Sequence, residues 1–283
     1  MTGELMAALR PSERLTAMVL GCLLLLALML RPEGWVLRAV LFTGLLLVLF
    51  GFGQSHLGEK TRWLRDFAPV AVVLLVFLLL QPLVVAANPR RWDAVLAALD
   101  GRWLGPLASR WRGAFGRPAA FTDLIYAAYG SFYLLPLLVG VLSRLRLDPQ
   151  QFERVVFTIL LGFYLSFLGY FLWPAEGPRV PQALAAAQLG GGAISEAIRV
   201  FLQGAETTTL DAFPSGHTAL SLVPAILATR SFPRLAPLLW AWALAIVFAT
   251  VYISVHYVVD VAAGILLAGL TMALAPLLRR WLS

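Results

Sequence analysis

Apolar residues run along this chain in long blocks, and the polar and charged residues gather in the breaks between them. Eight blocks, at about 15–30, 36–53, 67–87, 122–143, 153–173, 214–229, 235–252 and 255–278, approach the ~20 residues with which a helix crosses a bilayer core. Only helices or closed barrels satisfy their backbone inside lipid, and blocks of this length are helical. The pattern therefore predicts an all-α integral membrane protein of about eight transmembrane helices. Two breaks are long. The first, 88–121, contains an amphipathic run from Arg91 to Leu104 with Trp92 and Trp103 near its ends. It reads either as a helix lying in the headgroup plane or as a tryptophan-anchored connector. The second, 174–213, predicts short helices at 181–189 and 194–203 around Gly190-Gly191-Gly192, a hinge or a plain joint.

Composition agrees with a membrane chain. It is 60% hydrophobic and 13% charged, against roughly 45–50% and 25% in soluble domains. The first block follows Arg10 and Arg14 but runs into Arg31-Pro32-Glu33-Gly34 rather than a small-residue cleavage site, so it is expected to be a retained anchor. The single cysteine, Cys22, excludes an internal disulfide framework and a cysteine metal site, and lies where a small packing residue is expected. The net charge of +7 fits anionic headgroups and membrane orientation, with no nucleic-acid partner expected. With eight spans, both termini share a side with the short loops near 54–66, 144–152 and 230–234, which together hold 12 of the 22 basic residues. The positive-inside rule places that side in the cytoplasm, and the loops at 88–121 and 174–213 outside.

The candidate chemistry falls on the external side. The chain has three histidines. One, His217, closes Pro214-Ser215-Gly216-His217, with Pro214 expected in the first turn of the sixth span and Ser215, Gly216 and His217 beside it. The start of a helix offers free amides and a positive dipole end, which suit a phosphate. A second, His256, is followed four residues later by Asp260 at the start of the last span. Residues four apart share a helix face, and a carboxylate there fixes the imidazole tautomer and frees the other nitrogen as base or nucleophile. The bland alternatives are a capped helix start and a structural His–Asp pair. Arg179, in Gly177-Pro178-Arg179, brings a guanidinium to the same face, and arginine binds phosphate bidentately. Glu176 beside it is read as solvated. No clear cluster of metal-ligating side chains stands out.

Together, Pro214-Ser215-Gly216-His217 and His256-x-x-x-Asp260 resemble the type 2 phosphatidic acid phosphatase superfamily of membrane phosphatases and phosphotransferases. The resemblance implies a six-helix core over residues 67–283, with residues 1–66 as an added transmembrane hairpin and cytoplasmic loop. It implies that His256 is the nucleophile of a phosphohistidine intermediate, Asp260 its partner, and His217 the acid for the leaving group. Ser215, Gly216 and Arg179 would hold the substrate phosphate. The resemblance implies neither metal nor cofactor, consistent with the lack of a clear ligand cluster. The family's first motif is Lys-x6-Arg-Pro; here Leu172 stands seven before Arg179 and Val180 follows it, whereas Arg110-x6-Arg117-Pro118 is a literal Arg-x6-Arg-Pro match. The third motif usually carries Ser-Arg before its histidine, and this chain has Ala249-Thr250. The Gly-Tyr-x3-Pro-x2-Gly-Pro-Arg pattern is similar to the branch with inositol phosphorylceramide synthases and related bacterial proteins.

The sequence thus points to a metal-independent enzyme of a bacterial cytoplasmic membrane, with its site on the external face. It would hydrolyse a membrane lipid phosphate ester or pyrophosphate, or pass the phosphoryl-bearing head group to an alcohol acceptor. A transporter using the polar cluster as a conduit is the reading from another class; polar residues at helix ends on one face, with no internal repeat, favour catalysis.

Overall fold

The structure, a computed structural model, describes residues 8–55, 58–103, 107–116, 118–178, 189–205 and 208–283. Among the described residues there are twelve helices and no strand: α1 (Pro11–Leu30), α2 (Trp35–Gln54), α3 (Glu59–Ala87), α4 (Asp93–Trp103), α5 (Leu107–Phe115), α6 (Ala119–Gly130), α7 (Leu134–Arg146), α8 (Pro149–Leu172), α9 (Ala193–Ala205), α10 (Gly216–Ser231), α11 (Ala236–Tyr252) and α12 (Val258–Trp281). Every one of the eight apolar blocks is helical. Five helices (α1, α2, α3, α8 and α12) are long and apolar enough to cross a membrane, and α6 with α7 makes a sixth span bent by 53°. The remaining two, α10 and α11, are shorter, at 16 and 17 residues.

Helix α8 is the axis of the bundle, packing on α1, α3, α7, α10 and α12. Its apolar stretch is 78% buried, against 11% for α2, which therefore faces lipid. Asp148 starts it, accepting the amides of Gln150 and Gln151 at 2.9 Å each, with Pro149 in the first turn. Its absent side chains bring neighbours close: a Cβ on Gly162 would come within 2.9 Å of Leu220 on α10. The N-terminal hairpin is welded to this axis by buried polar links. The Tyr164 hydroxyl donates to Thr16 at 3.0 Å, and the Ser12 amide donates to the Glu153 carboxylate at 2.7 Å.

The long connections form the cap over one end of the bundle. Helix α9 docks on α6. Its start is held by Asp123, whose carboxylate accepts the amides of Gly192 and Ser195, and Arg199 lies over the Tyr126 ring at 5.2 Å. Gly190 and Gly191 both have positive φ, so the glycine triplet forms the docked start of a helix. The helix expected at 194–203 is present; residues 181–188 lie outside the described residues.

Candidate active site

Three segments meet under the cap: the turn into α10, the turn between α11 and α12, and the chain leaving α8. Helix α10 begins two residues later than the sequence suggests. Ser215 is its N-cap, with its hydroxyl accepting the Thr218 amide at 3.2 Å, so Pro214 stands outside the first turn. A side-chain oxygen that closes an orphan amide decides the boundary, which proline does not do. The turn is seated by absent side chains on its neighbours. A Cβ on Gly169 of α8 would collide with the Pro214 ring, and one on Gly264 of α12 would lie 2.6 Å from the Ser215 carbonyl oxygen. The Ser215 amide donates to the Asp260 carbonyl at 3.1 Å, tying α10 to α12.

His256 also sits differently from the helical pairing predicted. The last helix starts at Val258 with Tyr257 as its cap, so His256 lies in the preceding turn rather than on the helix. Asp260 caps that start, its Oδ2 accepting the Tyr257 amide at 2.8 Å, and the same oxygen stands 3.5 Å from His256 Nδ1. Carboxylate and imidazole therefore meet as expected, through a turn instead of a shared helix face. Both are buried, Asp260 completely. Across the site, His256 Nε2 and His217 Nδ1 are 3.3 Å apart, so one ring donates to the other. His217 is held from behind by Tyr129, stacked at 4.7 Å between centroids, and by Phe132 at 4.3 Å, both near the α6–α7 bend.

The turn carrying His256 is built for rigidity. The amides of Val255 and His256 both donate to the Thr250 carbonyl, and Ser254 adopts φ +59, an uncommon conformation for a residue with a side chain. Arg112 of α5 donates to the Tyr252 carbonyl at 2.9 Å and to the Ser254 hydroxyl at 2.8 Å. A guanidinium thus reaches the third-motif turn from elsewhere in the chain, although the sequence has Thr250 at the arginine position.

Helix α4 braces all three segments. Its Asp93 carboxylate accepts the amides of Glu176 and Gly177 at 2.8 and 2.9 Å, and its Asp100 accepts the Val259 amide at 3.0 Å. Leu96 packs between them with Ala175 and Ala212. The amphipathic run is therefore a structural clamp rather than only an interfacial helix or connector. The signal was present: Asp93, Leu96 and Asp100 lie on one face at helical spacing. Glu176 forms a loose, half-exposed ion pair with Arg91 at 3.5 Å, not with solvent alone.

Arg179 and Arg117 lie outside the described residues. The chain leading to Arg179 is pinned at the site, however: Gly177 has φ +79 and a Cβ there would lie 2.6 Å from the Val255 carbonyl oxygen. Arg110 is exposed on α5.

Gly216 has a packing reason of its own. A Cβ on it would lie 2.5 Å from the Tyr170 hydroxyl. If that contact sets the requirement for glycine, Gly216→Ala loses most of its activity and Gly216→Ala/Tyr170→Phe regains a substantial part. If close phosphate approach sets it, the double variant stays as inactive as the single one. Steady-state kcat/KM of the two variants decides.

A narrow cleft of about 20 Å³ runs along His217, Gly216, Asp211 and Tyr170. Val73, Leu74, Tyr133 and Phe163 line both this cleft and a neighbouring apolar cavity of about 110 Å³ between α3, α7 and α8. Among the described residues, no three of His, Cys, Asp and Glu gather as a metal ion would need.

Neither a curated protein nor a solved structure gives a significant match to this chain. The family comparison does: residues 94–274, well over half of the chain and the part that holds both histidine turns, match the PAP2 superfamily, and the protein belongs to that superfamily of membrane phosphatases.

Proposed function

We propose that the protein hydrolyses a phosphate ester or pyrophosphate of a membrane lipid through a phosphohistidine on His256. The observation that carries this reading is the facing pair His256 Nε2 and His217 Nδ1, set between Asp260 and the amide-bearing start of α10. With Nδ1–H of His256 turned to Asp260, Nε2 keeps its lone pair, and the proton in the contact belongs to His217 Nδ1. Nε2 then attacks phosphorus, the bond to the lipid oxygen breaks, and His217, as imidazolium, passes a proton to that oxygen. In the second half water attacks phosphorus as the phosphorus–nitrogen bond to His256 breaks, and the water proton returns to His217 as phosphate leaves. The developing charge on the equatorial oxygens is met by the Gly216 amide, the Ser215 hydroxyl and Arg179.

A gap of 3.3 Å between two nitrogens is filled by one hydrogen bond and cannot admit a phosphoryl group. Substrate binding therefore requires one ring to swing aside. His217 stacks on Tyr129 and Phe132, and movement of its ring along those faces would open the gap.

The apolar cavity that adjoins the cleft suits a hydrocarbon tail and favours a lipid over a soluble phosphate ester. Purified protein in mixed micelles is expected to release inorganic phosphate from a lipid phosphate. Retention of the label in a new lipid only when an alcohol is added would make the protein a head-group phosphotransferase working through the same site. Failure of both would remove the reading.

The loop charges support an external site. In a Cys22→Ser background, Ala197→Cys on the exposed face of α9 is expected to react with an impermeant thiol reagent in intact cells. Reaction only after lysis would turn the protein over.

A further inference from the structure

A large cavity lies far from the histidines. It opens at the other ends of the same helices, where the first turn of α8 and the last turn of α12 approach α1, α3 and α7, and its volume is about 990 Å³. Helix α8 has 24 residues, so the two sites are separated by about 36 Å of helix and open on opposite membrane surfaces.

The floor of this cavity is a settled ion-pair lattice. Buried Asp66 is held by Arg10 at 2.6 Å and by Arg144. Arg65 clasps Glu13 through two contacts of 2.7 and 2.8 Å, and the buried Glu153 accepts the Ser12 amide. Around this lattice stand Arg62 of α3, Arg154 of α8 and Arg279 of α12, whose guanidinium groups make no hydrogen bond or ion pair among the described residues. Among the described residues the lining holds seven arginines and two acidic side chains. A cytoplasmic excess of arginine orients a membrane protein wherever the charges lie, and nothing in that rule gathers them from separate helices into a concave space. Converging guanidiniums repel one another unless an anion lies between them, and arginine's fork matches phosphate oxygens.

We infer that this cavity binds a phosphate-bearing anion, either the headgroup of an anionic membrane lipid or a free phosphate compound. The ligand bridges α3, α8 and α12 beside the N-terminal hairpin. The inference does not depend on the chemistry proposed for the histidines.

The test uses the full chain in zwitterionic detergent-lipid micelles. One arm adds phosphatidylglycerol with phosphatidylcholine as the control; the other adds pyrophosphate without anionic lipid. The comparison is between wild type and Arg62→Gln/Arg154→Gln/Arg279→Gln, which leaves the ion-pair lattice intact. Thermal unfolding reads occupancy, and a single elution peak with a cooperative unfolding transition in phosphatidylcholine reports that the variant is folded. Wild type is expected to be stabilised in at least one arm, with the triple variant's apparent affinity lower by at least about tenfold and its unfolding in phosphatidylcholine alone still cooperative. The arm that responds identifies the source of the phosphate. Equal stabilisation of both proteins, or none of either in both arms, overturns the inference. Should the triple variant fail to fold, Arg154→Gln alone, altering one exposed side chain, carries the same comparison and is expected to show a smaller loss in the responding arm; no loss there overturns the inference.

Discussion

His256→Ala is expected to lower kcat/KM by at least about a thousandfold, because a covalent nucleophile has no substitute in a site whose other base faces the leaving group. Its nitrogen is the one that points across the site at His217, while the remaining nitrogen faces Asp260. The protein should still fold, since the turn is held by backbone bonds to Thr250 and by Arg112 rather than by the imidazole. The check is kinetic, on detergent-purified protein that elutes as a single species. His217→Ala should also be severely impaired, but with a difference that separates the two roles. A substrate whose leaving group needs no proton should restore the first-turnover burst of leaving group, and with it much of kcat/KM, in His217→Ala and none in His256→Ala, while later turnovers of His217→Ala stay slow. More than about a tenth of wild-type activity in His256→Ala would contradict the nucleophile assignment.

Arg179→Ala is expected to lower kcat/KM by about a hundredfold or more, the effect of losing a charge-assisted, bidentate contact of about 3 kcal/mol to the phosphate. Gly177, two residues earlier in the chain, is fixed against the Val255 backbone, one residue from His256. Arg117→Ala should change kcat/KM by less than about threefold, as a charge that only steers substrate does. Steady-state assays of the two variants on the same lipid give the comparison. The opposite ranking would make Arg110-x6-Arg117-Pro118 the true first motif.

The membrane-spanning plan was legible because lipid demands long apolar blocks, and each block is a helix here. What hydropathy could not show is the interruption inside 122–143, where a run of continuous apolar character bends by 53° and carries Tyr129 and Phe132 onto His217. The bend falls at Gly130-Ser131, a pair that favours kinks, and the Trp242 indole donates to the Ser131 hydroxyl there. The two histidine turns were legible from residue type and spacing, although both helix starts shifted by a residue or two once side-chain caps decided them. The supports were not legible as such. Asp93, Asp100 and Arg112 lie far from the motifs in sequence and act on backbone amides and carbonyls, which sequence alone leaves anonymous. Tyr170 was visible beside Gly169, but its role in excluding a side chain at Gly216 exists only in the packed bundle.

The most direct test of the phosphohistidine is to trap it. Protein mixed with lipid carrying a radiolabelled terminal phosphate is quenched in alkali within the first turnover and digested, and the label is mapped by mass. The account predicts an acid-labile, alkali-stable phosphate on the peptide containing His256, absent from His256→Ala and accumulating when the second half-reaction is slowed in His217→Ala with an activated substrate. Label on His217, or turnover with no protein-bound phosphate at any quench time, would contradict it.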